Sequence, residues 1–199
     1  MIEEISFKNI LSFKNEATLS FEALGNTDLE NAHVRVMPNG TRLLRLGVIY
    51  GSNASGKSNV LKAIEALHNF WFSEPQNMDA MTMAKPFLLD STSSKAPSVF
   101  DMKFWVDGIR YWYQLTMSRN RVLYEKLSYY KTIKPITVFE RQLEDEQSVV
   151  HYNSNVQKIS SEEQKALLLH CLPNMSFMAA RGHVNMKMLH VDAVRAWMR

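Results

Sequence analysis

Gly51-Ser52-Asn53-Ala54-Ser55-Gly56-Lys57-Ser58 is a run of small and polar residues closed by a cation and a hydroxyl. It fits the spacing G-x-x-x-x-G-K-[ST], in which the glycines let the backbone curl until successive N–H groups point inward at a chain of phosphates. In such a loop Lys57 reaches the outer phosphates as a point charge, and the Ser58 hydroxyl takes one corner of a magnesium ion. The spacing matters because the chain must return Lys57 over the nest made by the turn from Gly51 to Gly56.

Other chemistries find little support. The histidines at 33, 68, 151, 170, 183 and 190 are scattered, without the i, i+4 pairing or cysteine company of a zinc site. Cys171 is the one cysteine, set among Leu168, Leu169 and Leu172, which fits a buried small hydrophobe better than a catalytic thiol. No G-x-S-x-G elbow occurs. Glu162-Glu163 and the run from Glu144 to Glu146 read as a helix N-terminus and a solvated turn. The Asn-Lys-x-Asp motif of guanine readers is missing, and the β-rich middle third suits a small-molecule kinase badly.

The phosphate loop needs a strand before it and a helix behind it. Leu46 to Tyr50 is a short apolar run whose length predicts a buried parallel strand. After Ser58, the apolar residues Val60, Leu61, Ile64 and Leu67 recur at helical spacing, predicting a helix to about Phe72. Ahead of these, alternation over Glu4–Ile10 and Ala17–Phe21 predicts two strands, and the polar stretch from Gly25 to Gly40 a long loop. The expected division is residues 1–72 for the opening strands, phosphate-loop strand and helix, then 73–97 as irregular connection with a short helix near Met78–Met83. Residues 98–153 form an antiparallel β-meander, turning at Asp107-Gly108. Residues 154–199 form a helical segment that ends as though cut, opened by a capping box from Ser160 and Glu163. Aromatics beside Arg110, Arg119 and Arg121 suit either a base-stacking platform or an ordinary pleated surface. The alternative function is a non-catalytic interaction module that docks a partner chain through the aromatic β-meander and the last helix, along an apolar stripe of Met188, Val191 and Val194.

With 199 residues, 46% of them apolar, the chain is long enough to bury a core. A net charge of +3 does not by itself indicate nucleic-acid binding. The lone cysteine, the want of a signal peptide and of a membrane-length apolar run predict a cytoplasmic protein without a membrane partner.

Three blocks together resemble a known family. They are Phe7-Lys8-Asn9-Ile10-Leu11-Ser12-Phe13-Lys14-Asn15-Glu16, the segment from Ile49 through Lys57-Ser58-Asn59 to Ala63, and Pro86-Phe87-Leu88-Leu89 with the Asp107-Gly108 hairpin. In order, they are similar to the N-terminal lobe of the bacterial "AAA domain" ATPases of the ATP-binding-cassette superclass. Relatives of that family include abortive-infection and OLD-type anti-phage ATPases and, more remotely, chromosome-maintenance and DNA-repair ATPases. The resemblance implies an α/β P-loop fold with an antiparallel layer and an incomplete second lobe. It implies ATP and Mg2+ as cofactors, with Lys57 catalytic and Ser12, Gly51, Ser52, Asn53, Ala54, Ser55, Gly56, Lys57, Ser58 and Asn59 binding nucleotide. Aligning Ser176–Gly182 with the family's short strand puts His183 where a glutamine meets the magnesium, so Ser58 and His183 are the implied metal ligands. The family's acidic strand and its signature motif do not occur in this chain. The resemblance implies that a C-terminal lobe supplies them, or a second copy in a head-to-tail dimer, with a nuclease or other defence effector downstream. ATP binding with little or no hydrolysis is the expectation for this chain alone.

Overall fold

The computed structural model describes residues 1–25 and 29–199. It is a mixed α/β structure built on one seven-stranded sheet, in which every neighbouring pair runs antiparallel. The strands are β1 (Ile2–Lys8), β2 (Ala17–Ser20), β5 (Ser98–Val106), β6 (Ile109–Met117), β7 (Val122–Tyr130), β8 (Pro135–Glu144) and β9 (Gln147–Tyr152), in the order β2-β1-β5-β6-β7-β8-β9. A separate hairpin pairs β3 (Val34–Val36) with β4 (Arg42–Leu44).

Alternation sets the faces of the sheet. Tyr111, Tyr113, Leu115 and Met117 of β6 are buried, as are Phe100, Met102 and Phe104 of β5 and Ile5 and Phe7 of β1. Between β5 and β6 the turn residues Asp107 and Gly108 both have positive φ, 48° and 79°, the backbone of a two-residue hairpin matched to strand twist.

Helix α2 (Lys57–Phe72) lies on this buried face. Ala63, Leu67, Phe70 and Trp71 go inward, a stripe at spacings of four, three and one that a 3.6-residue period allows. The stripe is rotated from the one expected: Leu61 is 64% exposed, and Val60 and Ile64 are only partly covered. Trp71 meets Tyr113 edge-on at 4.7 Å and Phe104 at 6.1 Å. Each such large buried side chain contributes about 1.5–3 kcal/mol.

Helices α3 (Ser161–His170), α4 (Phe177–Arg181) and α5 (Leu189–Met198) complete the buried face. Ser160 and Glu163 form the reciprocal capping box that opens α3. A buried polar knot ties α4 to the sheet. Glu125 accepts hydrogen bonds from Tyr113 Oη at 2.9 Å and from the Phe177 amide at 2.8 Å. Arg141 lies 3.5 Å from Glu125 and donates to the carbonyls of Met175 and Leu172.

Several expectations are corrected. Residues 176–182 are not a strand; Ser176 caps α4 by accepting from the Ala179 amide, and Phe177 packs on Phe139. The stretch 25–40 is not all loop, because it holds α1 (Glu30–His33) and β3; its residues 26–28 lie outside the described residues. Residues 78–83 are not helical, and the connection instead has a short 3-10 helix at Ser93–Lys95. The stripe of Met188, Val191 and Val194 is buried, so it offers no docking surface. Trp197 beside it stacks on Phe104 at 4.7 Å. Two of the three arginines named for a stacking platform are engaged elsewhere: Arg110 is tied to the buried Glu3 and lies over Tyr130, and Arg121 pairs with Glu146, while Tyr111 and Tyr113 face the core.

The largest departure is Leu46 to Tyr50. Among the described residues no strand pairs with it, and Leu46, Val48 and Tyr50 are 71%, 76% and 90% exposed. The apolar pattern that predicts a buried strand is present, but among the described residues no helix or strand covers it.

Candidate phosphate-binding site

From Gly51 to Lys57 the chain makes a compact turn. The Ser55 amide donates to the Ser52 carbonyl at 3.3 Å, and Ala54 and Gly56 take left-handed conformations, φ 64° and 93°. A Cβ on Gly51 would lie 3.0 Å from Ser55 Oγ, and one on Gly56 3.3 Å from Ser12 Oγ, so both glycines sit where a side chain would intrude. Lys57 Nζ folds back over this turn and donates to the carbonyls of Gly51 at 2.9 Å and Ser52 at 2.7 Å. The contacts are solvent-exposed, so the ammonium stands at the surface rather than in the core.

Gly56 precedes α2 and offers no side chain to cap it, and the first turn carries no acid. The first amides of the 16-residue helix therefore present a positive dipole end and unspent donors, an arrangement that favours an anion. A cavity of about 330 Å³ opens there, walled by Ala54, Ser55, Gly56, Lys57, Ser58 and Asn59. The structure thus gathers Ala54 through Asn59 around one concavity, while Gly51, Ser52 and Asn53 lie in the turn to which Lys57 folds back.

Ser12 reaches the same place from the other end of the chain. Ile10 and Phe13 exchange backbone hydrogen bonds of 3.0 and 2.8 Å around a two-residue turn, which puts Leu11 at φ 51° and Ser12 at the tip. Ser12 Oγ accepts a hydrogen bond from Asn59 Nδ2 at 2.9 Å. Asn9 anchors that turn to the segment that follows residue 85. Its Nδ2 donates to the carbonyls of Ser93, Ala96 and Pro97, its Oδ1 accepts from the Phe87 amide, and its carbonyl accepts from Ser98 Oγ. Leu11 N adds a bond to the Lys85 carbonyl at 2.7 Å. Nothing local in the sequence marks Asn9 for this role; its left-handed φ of 53° and near-complete burial explain why an amide stands there, since asparagine tolerates that conformation and can satisfy several backbone groups.

Asp90 is occupied in the same segment. It accepts from the hydroxyl and amide of Ser93 and pairs with Lys14, and the Ser93 and Lys14 bonds pull its carboxyl down to about 2. It serves the loop's own structure.

His183 is not brought to the site. Its Nε2 lies 3.3 Å from Glu74 Oε1 and its ring stacks beside His170 at 5.7 Å. Glu74 follows the C-terminal end of α2, whereas Ser58 stands at its start, and the helix from Ser58 to Phe72 alone spans about 21 Å at 1.5 Å per residue. The helical conformation of 177–181 removes the strand on which the metal role of His183 rested. No group of three or more His, Cys, Asp or Glu side chains that could hold a metal ion occurs among the described residues. A magnesium ion fits the remaining chemistry, because it keeps waters and phosphate oxygens and asks the protein for few ligands, here Ser58.

Residues 46–168 match the family described as AAA domain, putative AbiEii toxin, Type IV TA system. The match contains the phosphate loop, α2 and the strands β5 to β9. No curated protein matches the chain. Among the described residues no helix is long and apolar enough to cross a membrane.

Proposed function

The chain belongs to this AAA domain family and is a nucleotide-binding, ATPase-like domain; from that premise we propose that it is the ATP-binding N-terminal lobe of an ABC-superclass ATPase. The observation that carries the reading is the fold-back of Lys57 over the Gly51–Ser52 carbonyls beside an uncapped helix N-terminus. Bound there, the outer phosphates take the ammonium as counter-ion, the helix amides hold phosphate oxygens, and the Ser58 hydroxyl faces Mg2+. ATP with Mg2+ supplies the phosphoryl group. The chain's own residues bind and orient it.

Phosphoryl transfer depends on positioning and on charge placed around the attacking water. Within this sequence no apolar strand ends in an acidic pair to supply that charge, and His183 stands far from Ser58. The chain alone therefore binds ATP and turns it over slowly. The uncovered run from Leu46 to Tyr50 supports a partner: both its faces are apolar, the pattern of a strand flanked by strands and covered on two sides. A C-terminal lobe, or a second copy arranged head to tail, fills that role, and ATP-driven closure switches an anti-phage or DNA-processing effector such as a nuclease.

The rival reading, an interaction module that docks a partner chain through the β-meander and the last helix, loses the helix, which spends its apolar stripe on the core. Phosphate release under single-turnover conditions tests the choice. Radiolabelled ATP retained on the chain with negligible phosphate formed supports the lobe; failure to retain ATP at any concentration tested favours the module.

A further inference from the structure

The seven-stranded sheet ends differently at its two edges. At one, β2 is four residues long, and the chain beyond it is bonded to β4, the Leu44 amide donating to the Phe21 carbonyl at 2.7 Å and the Ala23 amide to the Arg42 carbonyl at 2.8 Å. At the other, among the described residues, β9 has only β8 beside it. An edge strand exposes a row of unpaired backbone groups, which proteins that remain alone guard with lysines, prolines or bulges. Gln147–Tyr152 carries no Lys, Pro, Asp or Glu. Its register against β8 also runs without a shift, whereas the β1–β5, β6–β7 and β7–β8 ladders are each interrupted.

The turn decides which groups point outward. Asp145 and Glu146 have φ 44° and 67°, the backbone of a two-residue hairpin in which the flanking pair, Glu144 and Gln147, exchanges both of its hydrogen bonds. Alternation then turns the N–H and C=O of Gln147, Val149 and His151 towards β8, and those of Ser148, Val150 and Tyr152 away from it. The Asn153 amide, which donates to the Val138 carbonyl, keeps the same phase. Among the described residues, the backbone groups of Ser148, Val150 and Tyr152 have no partner.

We propose that this edge pairs with the same edge of a second copy, β9 against β9 and antiparallel about a two-fold axis at Val150, joining two seven-stranded sheets into one. The outward residues are spaced evenly about Val150, so one register matches Ser148 with Tyr152 of the partner subunit and Val150 with Val150 of the partner subunit, and every outward N–H and C=O is bonded. A two-fold contact must be self-complementary. A charge on β9 would face its own copy across the axis, and the strand has neither acid nor lysine. In this register the acidic turn Asp145-Glu146 of one chain comes opposite the neutral Ser154 and Asn155 of the other. That neutrality and symmetry are what select a second copy as the occupant, since a strand from another protein would require neither. On the core side the two Val150 side chains become neighbours, each already packed in part against its own core. The edge lies five places from β1 in the sheet order, roughly 24 Å at ~4.8 Å per strand, and Ser12 follows β1. The pairing is therefore independent of nucleotide and of the phosphate-loop reading.

Analytical ultracentrifugation of the full chain over a range of concentrations, with and without ATP and Mg2+, compares the wild type with Val150→Pro. Proline there removes an outward N–H and no bond of the β8–β9 ladder, so the fold is expected to survive, which a thermal melt checks. The wild type should dimerise to the same extent with and without nucleotide. Val150→Pro should weaken the dimer about tenfold or more, because each dimer loses two backbone bonds. Val150→Cys under mild oxidation should cross-link into dimers faster than Val149→Cys, because the axis brings the two copies of position 150 to about 5.5 Å between Cα atoms and leaves those of 149 further apart. Should the proline variant unfold, the cysteine pair decides. A dimer that requires ATP, a dimer that folded Val150→Pro leaves unchanged, or faster cross-linking at 149 overturns the proposal. A wild type that stays monomeric at every concentration overturns it too, and leaves the edge to a strand of another protein.

Discussion

Ser12 Oγ sits 2.9 Å from Asn59 Nδ2 and 3.3 Å from where a Cβ on Gly56 would stand, so the N-terminal turn and the phosphate loop are in van der Waals contact across 47 residues of sequence. The contact, added to its left-handed backbone, makes Gly56 the less replaceable of the loop's two glycines. At φ 93° an L-residue pays about 1–2 kcal/mol of backbone strain, before the added methyl meets Ser12 and the Phe13 ring. Gly56→Ala is expected to lower ATP affinity about tenfold while the melting transition stays cooperative, because the loop is exposed and outside the core. Titration and a thermal melt on the same sample check both halves.

The polar knot behind α4 makes a different prediction. Burial raises the Glu125 carboxyl, and the Arg141 guanidinium is what chiefly offsets that. Arg141→Leu leaves a buried carboxylate facing only Tyr113 and the Phe177 amide, and removes the donors to Met175 and Leu172. A loss of about 3–5 kcal/mol in urea unfolding is expected, with part of it returned by adding Glu125→Gln. An unchanged midpoint in the single variant would contradict the knot's role.

His190 gives the structure a pH dependence. Its Nδ1 shares a hydrogen bond of 2.8 Å with Tyr111 Oη, and its ring stacks on Tyr129 at 4.0 Å. Burial lowers it from the ordinary 6.5, while burial first and then Asp107 push the Tyr111 phenol up to about 12, which keeps its proton available for the imidazole. Unfolded His190 therefore takes up a proton at higher pH than the folded one. Its contribution is complete above pH 6.5, declines as pH falls through 6.5 towards the folded value, and then levels. Urea midpoints measured from pH 7.5 down to 5 should show this slope in the wild type and a shallower one in His190→Gln.

Local chemistry was legible and long-range cover was not. The glycine loop, the helix that follows it, the Asp107-Gly108 hairpin and the Ser160–Glu163 capping box are each specified by a few adjacent residues, and each appears as expected. Ser176 to Gly182 is a short apolar run, which periodicity cannot divide between strand and helix; the Ser176 cap and the Glu125 acceptor for Phe177 decide it, and Glu125 lies 52 residues away. The same limit affected His183, whose expected role depended on that strand. Leu46 to Tyr50 failed differently. Its composition states that it is buried, and the partner that would bury it is not among the described residues. Asn9 was visible as part of a block, but its four side-chain bonds span 78 to 88 residues and leave no local trace.

If the amides from Gly51 to Ser58 converge on a triphosphate closed over by Lys57, nucleotide affinity must depend on that ammonium. Calorimetric titration of the full chain with ATP and Mg2+, wild type against Lys57→Ala, tests it most directly. Saturable one-site binding is expected of the wild type and a loss of about a hundredfold in the variant, the range for a charge-assisted contact to phosphate. Equal affinity in the two proteins would contradict it.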